Sequence, residues 1–282
     1  MGNLEPVDIA SPGVADFFDE LPLWSAPFVL LLLERVPMRN GLSILDVGAG
    51  TGFLAVDLAQ RCGPQSTVIA VDPWQAAVER LRAKVEYLGI QNLRVLEQDA
   101  VDLDLPESSI DVVVSNLGIN NFDNVDTVMG TCFRALKPDG LVILTTNLVG
   151  HMREFYDVYC ETLLQEGLSD CVAALDAHIG RRATVESVGA QLRRAGFDGI
   201  TTTEKSFQMR FADGSALLRH YFIRLGFLEG WMKVVPPERV DETFLALERN
   251  LNKAAAVHGE LALTIPMACV EARKPANPYQ TA

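Results

Sequence analysis

The run Ile44-Leu45-Asp46-Val47-Gly48-Ala49-Gly50-Thr51-Gly52-Phe53 reads as an apolar strand, a turn carrying three alternating glycines, and the start of a helix. Glycine lets the backbone take tight positive-φ turns and lets a ligand approach without meeting a Cβ. The helix start behind it offers unpaired N–H groups and a partial positive charge to an anion. The dinucleotide-binding pattern G-x-G-x-x-G is the obvious comparison. Here the third glycine comes one place early and position 53 is Phe, which weakens a pyrophosphate reading.

Working outward, Ser43–Val47, Thr67–Val71, Leu93–Glu97, Ile110–Ser115 and Gly140–Thr146 are short β-branched or Leu-rich runs bounded by turn residues. Phe53–Arg61, Trp74–Leu88 and Val125–Leu136 carry helical spacing between them. Alternation of this kind makes a parallel sheet with helices on both faces. The strand ends gather polar residues. The second strand ends in Asp72, followed by Pro73 and Trp74, and an acidic residue there suits ribose hydroxyls. The third leads to Glu97-Gln98-Asp99-Ala100, where a carboxylate suits an adenine amino group, and the fourth opens into Asn116-Leu117-Gly118. In open α/β sheets, ligands bind at these carboxyl ends.

The rhythm changes elsewhere. Residues 1–40 read as helical, with Ser11-Pro12 as a helix start and Trp24 to Val36 turning Phe28, Leu31, Leu32 and Leu33 inward. After 147, Met152, Phe155, Tyr156, Tyr159, Cys160 and Leu163 recur as one helical stripe. Thr184–Ala195 is a further helix, and Phe207 to Phe211 ends a strand. Residues 213–258 are helical, with Val240, Phe244, Leu247 and Leu251 as one stripe and Gly259 as the stop. Leu261 to Arg273 reads as a strand in which Pro266 cannot donate to a ladder, so regular pairing is expected to begin at Met267.

Composition narrows the classes. Of the 282 residues, 37 are acidic and 24 basic, for a net charge of −13. No basic cluster exceeds Arg181-Arg182 and Arg193-Arg194, so a nucleic-acid partner is not expected. The five cysteines are scattered, without a C-x-x-C pair, which disfavours a disulfide framework or a zinc site, and no metal is expected. The N-terminus lacks a secretory signal and a myristoylation motif, and the longest apolar run, Pro27 to Leu33, is far short of the roughly 20 residues of a membrane span. A cytoplasmic protein without membrane contact is expected.

The set LDVGAGTG, AVDPW, QDA, DVVVSN and LKPDG, in that order over residues 40–147, resembles the class I S-adenosylmethionine (SAM)-dependent methyltransferases. The resemblance implies an α/β fold with a doubly wound, seven-stranded, mostly parallel sheet. AGF at 195–197 and the strand at 261–273 would belong to its closing antiparallel hairpin, and helical lid insertions are expected. It implies one domain over 1–282: N-terminal helices at 1–40, a cofactor core at 41–147, cap segments at 148–182 and 213–258, and closing elements at 183–212 and 259–274. By the same resemblance, Asp46 and the backbone of Gly48, Ala49 and Gly50 hold the amino-acid end of SAM. Asp72, with Pro73 and Trp74 behind it, holds the ribose; Asp99 and Ala100 hold the adenine; Asn116 and Leu117 line the path beside the sulfonium.

Such transfer needs no obligatory acid–base pair, so no catalytic residue is assigned. The Asn/Asp-Pro-Pro-Tyr-like turn of the family's nucleic-acid enzymes is missing after strand four, and Asn277-Pro278-Tyr279 echoes it in the wrong place. Together with the charge, this points to a small-molecule acceptor, with the broadest likeness to quinone- and lipid-biosynthesis enzymes. The cysteine pattern of arsenite methyltransferases is not found at Cys160 and Cys171. Acceptor contacts are expected from 11–30, 148–182 and 213–235, where His151, Tyr156, Tyr159, His220, Tyr221 and Trp231 lie. Tyr156, His220 and Tyr221 are the acceptor-site candidates, and core packing is the competing role for each. A homodimer, a non-catalytic SAM-binding regulatory module and an NAD-dependent oxidoreductase stand as further alternatives.

Overall fold

A computed structural model describes residues 4–11, 13–18 and 23–276. Pro12 and the Asn277-Pro278-Tyr279 echo lie outside the described residues. The strands are β1 (Ser43–Val47), β2 (Thr67–Asp72), β3 (Leu93–Glu97), β4 (Ile110–Asn116), β5 (Leu136–Asn147), β6 (Asp198–Phe211) and β7 (Leu261–Arg273). The helices are α1 (Val14–Phe17), α2 (Ala26–Leu33), α3 (Phe53–Arg61), α4 (Gln75–Leu88), α5 (Val125–Ala135), α6 (Arg153–Gln165), α7 (Val172–Ile179), α8 (Val185–Arg194), α9 (Gly214–Arg219), α10 (Tyr221–Gly226), α11 (Leu228–Met232) and α12 (Val240–His258).

One seven-stranded sheet runs in the order β3-β2-β1-β4-β5-β7-β6. Neighbours from β3 to β5 are parallel. β7 lies antiparallel to β5: Asp139 N–H donates to the Lys274 carbonyl and Lys274 N–H to that of Gly140. This is the doubly wound, mostly parallel sheet with a terminal antiparallel pair that the sequence pattern implies. The order reverses at β1, whose neighbours are β2 and β4, so the loops after β1 and β4 flank the switch point where such sheets take ligands. Ile44, Leu45, Val47, Val68, Ala70 and Val112 to Val114 are buried, because strands covered on both faces need unbroken apolar runs.

The chain divides into two compact units. The sheet unit comprises Ala15–Thr146, Ala183–Lys205 and Met267–Ala282; the helical unit comprises Met1–Val14, Asn147–Arg182 and Ser206–Pro266. In the sheet unit, Thr184 caps α8 reciprocally with Ser187, and Gly89 ends α4 in a left-handed turn. In the helical unit, α6 buries Phe155, Tyr156, Tyr159, Thr162 and Leu163, and α12 buries Phe244, Leu247 and Leu251. Gly259, left-handed at φ 85, stops α12 as its sequence implies. Among the described residues, no helix is long and apolar enough to cross a membrane.

Four expectations are corrected. Residues 4–11 are not helical, and among the described residues of the first 40 only α1 and α2 form α-helix. α2 buries Phe28, Val29, Leu31 and Leu32, whereas Leu33 is half-buried. The stretch 213–258 is not one helical run: His220 is extended (φ −62°, ψ 129°) and Phe227 leaves helical geometry, so three short helices precede α12. Regular pairing does not wait for Met267. β7 runs from Leu261 through Pro266, whose carbonyl accepts from Leu148 N–H, so the imino nitrogen costs one donor without ending the strand.

Candidate cofactor site

The site is built from four strand ends of the sheet unit. Asp46 is the fourth residue of β1 and is almost fully buried. An Ala55 backbone N–H near the start of α3 stabilises its ionised form, but its Oδ2 is buried with no hydrogen-bond partner. Burial first, and the nearby Asp72 carboxylate second, push its pKa up to about 8. An orphaned buried carboxylate oxygen is a costly group that a donor would satisfy.

The glycine turn follows. Gly48 and Ala49 N–H both donate to the Val71 carbonyl, tying the turn to β2. Gly50 N–H donates to Asp72 Oδ2 at 2.7 Å, and Trp74 N–H donates to Asp72 Oδ1 at 2.9 Å. Asp72 thus shapes the loop from both oxygens while retaining lone pairs for further donors. Its pKa is raised by burial, against those two N–H contacts. A Cβ on Gly50 would meet nothing within 4 Å, whereas one on Gly52 would sit 2.0 Å from Leu81 Cδ1. The turn therefore leaves open space over Gly50 and packs tightly at Gly52.

Pro73 is exposed, and Trp74 meets Phe18 edge-on with ring centroids 5.4 Å apart. Asp99 caps the 3-10 turn Ala100–Asp102 by accepting from Val101 N–H; the carboxylate is exposed and Ala100 buried. At the end of β4, Asn116 Oδ1 accepts from Thr145 Oγ1 at 2.8 Å. Leu117 is left-handed at φ 63, and its N–H donates to the carbonyl and Oγ1 of Thr145. The loops after β1 and β4 touch, since a Cβ on Gly48 would lie 3.1 Å from the Cα of Gly118.

The structure brings together Asp46, Gly48, Ala49, Gly50, Asp72 and Trp74 through β1, β2 and their loops, with Asn116 at the end of β4 and Leu117 just after it beside them. Asp99 and Ala100 follow β3, two strands from β1. Sequence reasoning missed Thr145, Lys84 and Phe18. Thr145 is a buried hydroxyl directly after the apolar run Leu141 to Leu144, which is its signal. Lys84 Nζ donates to the Thr51 carbonyl at 2.7 Å and fastens the turn to α4; nothing in its spacing marks it. Phe18 lay in a stretch expected to face the acceptor, yet its ring sits on Trp74.

The acceptor candidates lie in the helical unit and do not share one environment. Tyr156 is buried, and its hydroxyl accepts from Trp231 Nε1 at 3.1 Å. His220 is exposed and its ring meets Phe211, while Tyr221 is also exposed.

Residues 44–140 match the family described as the methyltransferase domain. This domain, with the methyltransferase relatives that follow, supports SAM-dependent methyl transfer by the chain. The nocamycin O-methyltransferase of Saccharothrix syringae is 28% identical over 256 residues, covering 88% of this methyltransferase and 90% of that relative. The demethylmenaquinone methyltransferase of Lactococcus lactis subsp. lactis is 34% identical over 45% of this chain and 48% of its own length. The phosphoethanolamine N-methyltransferase 2 of Haemonchus contortus, solved with phosphomonomethylethanolamine and S-adenosylhomocysteine, has the same fold. Its TM-score is 0.57 at 18% identity, over 95% of this chain and 59% of that one. The methyltransferase uses SAM as cofactor. The residues present fit it: Asp46 offers an unmatched buried acceptor to an ammonium, and the space over Gly50 is open.

Proposed function

We propose that this methyltransferase acts on a small organic acceptor and holds SAM in the cradle at the ends of β1 to β4. In this reading Asp46 and the backbone of Gly48, Ala49 and Gly50 take the amino-acid end. Asp72 accepts from the ribose hydroxyls, with Pro73 and Trp74 as the stiff, flat wall behind it. Asp99 and Ala100 take the adenine, and Asn116 and Leu117 line the path beside the sulfonium. The observation that carries the reading is the buried, unpartnered Oδ2 of Asp46. When bound, SAM supplies a methyl group already activated on sulfur, so the chain's residues bind and align the partners. Relatives named for O-methyl and quinone methyl transfer support a small organic acceptor. The net charge of −13 argues against a polyanion.

Calorimetric titration tests the cradle. Asp72→Ala is expected to weaken SAM binding roughly 10- to 100-fold, since hydrogen bonds to a charged group contribute about 1.5–3 kcal/mol each. Asp72 also pins Gly50 and Trp74, so the melting temperature of the ligand-free variant is read on the same sample; Asp72→Asn keeps the side chain's size but can accept only one of those two N–H groups, and it is read in the same way. Unchanged affinity in a folded Asp72→Ala removes the ribose role. Equal or better stabilisation of the wild type by NADH at matched concentration overturns the cradle's assignment to SAM.

A further inference from the structure

The helical unit contains a cluster of cations and rings that the cradle does not use. His151 stacks on Phe227 at 5.4 Å between centroids, and the Arg182 guanidinium lies over the same ring at 5.8 Å. The Tyr156 ring is 6.0 Å from that of His178, and its hydroxyl meets both Trp231 and Arg182. Arg181 hydrogen-bonds His178 Nδ1. The His178 ring covers Gly230 so closely that a Cβ there would come within 2.9 Å of Cε1.

Among the described residues neither Arg181 nor Arg182 forms an ion pair, although acidic residues outnumber basic ones by 37 to 24. Arg181 and Arg182 lower His178, and Arg182 also lowers His151. Burial, followed by those cations, brings His151 down to about 3 and His178 down to about 4, so both rings are neutral at pH 7. Arg181 donates to Nδ1, so the proton of neutral His178 sits on Nε2. That nitrogen is buried with no hydrogen-bond partner. The cluster therefore presents two guanidiniums and an unmatched N–H around the Phe227 ring. It lacks only an acceptor with negative charge.

We propose that this cluster is a binding site for a small organic anion, a carboxylate or enolate carried on a planar apolar body. Two sources share that chemistry. The anion is the methyl acceptor itself, in which case the site deepens the reading of a small organic acceptor, or it is a separate effector.

The test titrates 2-naphthoate and its uncharged amide, 2-naphthamide, into the full chain by calorimetry. The acid is expected to bind at least about tenfold more tightly, since charge-assisted hydrogen bonds are roughly twice as strong as neutral ones. Arg182→Gln and Arg181→Gln should each weaken the acid about tenfold without lowering the melting temperature or the affinity for SAM, and Arg182→Lys should recover part of the loss. Methyl ester formed in the presence of SAM identifies the anion as acceptor; binding without product identifies it as effector. Equal binding of acid and amide, no binding of the acid, or unchanged affinity in both Gln variants overturns the site. A wild type that binds naphthoate but not SAM fails the cradle and leaves this site standing.

Discussion

Two glycines of one turn are required for opposite reasons. At Gly52 the neighbour is protein: a Cβ would overlap Leu81, and φ is +84. At Gly50 the neighbour is open space, with φ +53. Gly52→Ala should therefore lower stability by roughly 2 kcal/mol or more, from overlap plus left-handed backbone, with affinity falling only as folding fails. Gly50→Val should cost about 1–2 kcal/mol of backbone strain yet abolish SAM binding. Melting curves and titrations on both variants check this, and the reversed pattern refutes it. Asp46 gives a second residue-level outcome. Its folded-state pKa of about 8 lies above the ordinary 3.8, so the folded chain keeps a proton that the unfolded chain gives up. The stability it contributes is fully present below about pH 4 and lost as pH rises towards 8. The ligand-free protein should melt lower at pH 8 than at pH 5, and Asp46→Asn should flatten that slope. An ammonium needs the ionised carboxylate, so SAM affinity should rise roughly tenfold between pH 6 and 7 and cease to do so in Asp46→Asn.

At the scale of elements, α6 and α11 are locked together by aromatic groups. Phe155 stacks on Trp231 at 4.0 Å, Tyr159 donates to the Trp231 carbonyl at 2.9 Å, and Trp231 donates to Tyr156. Tyr156→Ala should therefore destabilise by about 3 kcal/mol, with or without ligand. His220→Ala, at an exposed junction between α9 and α10, should change stability by under about 1 kcal/mol. Chemical denaturation separates the two; a stable Tyr156→Ala would remove the hydroxyl from the packing of the helical unit. The parallel strands, the glycine turn and Asp72 were legible in the sequence because each carries a local signature: a run of β-branched residues, a spacing of glycines, an acid at a strand end. The breaks at His220 and Phe227 were not, because they follow from tertiary packing that propensity does not encode. Pro266 misled for a related reason. A missing donor matters only on a hydrogen-bonded position, and a residue's register is set by its partner strand. Within the cradle, Asp46 and Asp72 stood out, whereas Lys84 and Phe18 come from distant segments with no motif of their own.

Across the whole molecule, neither compact unit is a continuous piece of chain, and β6 and β7 each supply residues to both. Many of the contacts are consequently remote in sequence, which slows folding. The last strand is also an interior one, lying between β5 and β6 in the sheet. During synthesis, everything up to α12 can emerge from the ribosome while β5 still shows a bare, apolar edge of unpaired N–H and C=O groups. The nascent protein is thus most open to self-association in the interval before Leu261 to Arg273 appear. A chain stopped after His258 should accumulate as insoluble protein, while the full chain made at the same rate stays in solution. Soluble, protease-resistant protein from the shortened chain would show that the sheet closes without its final strand.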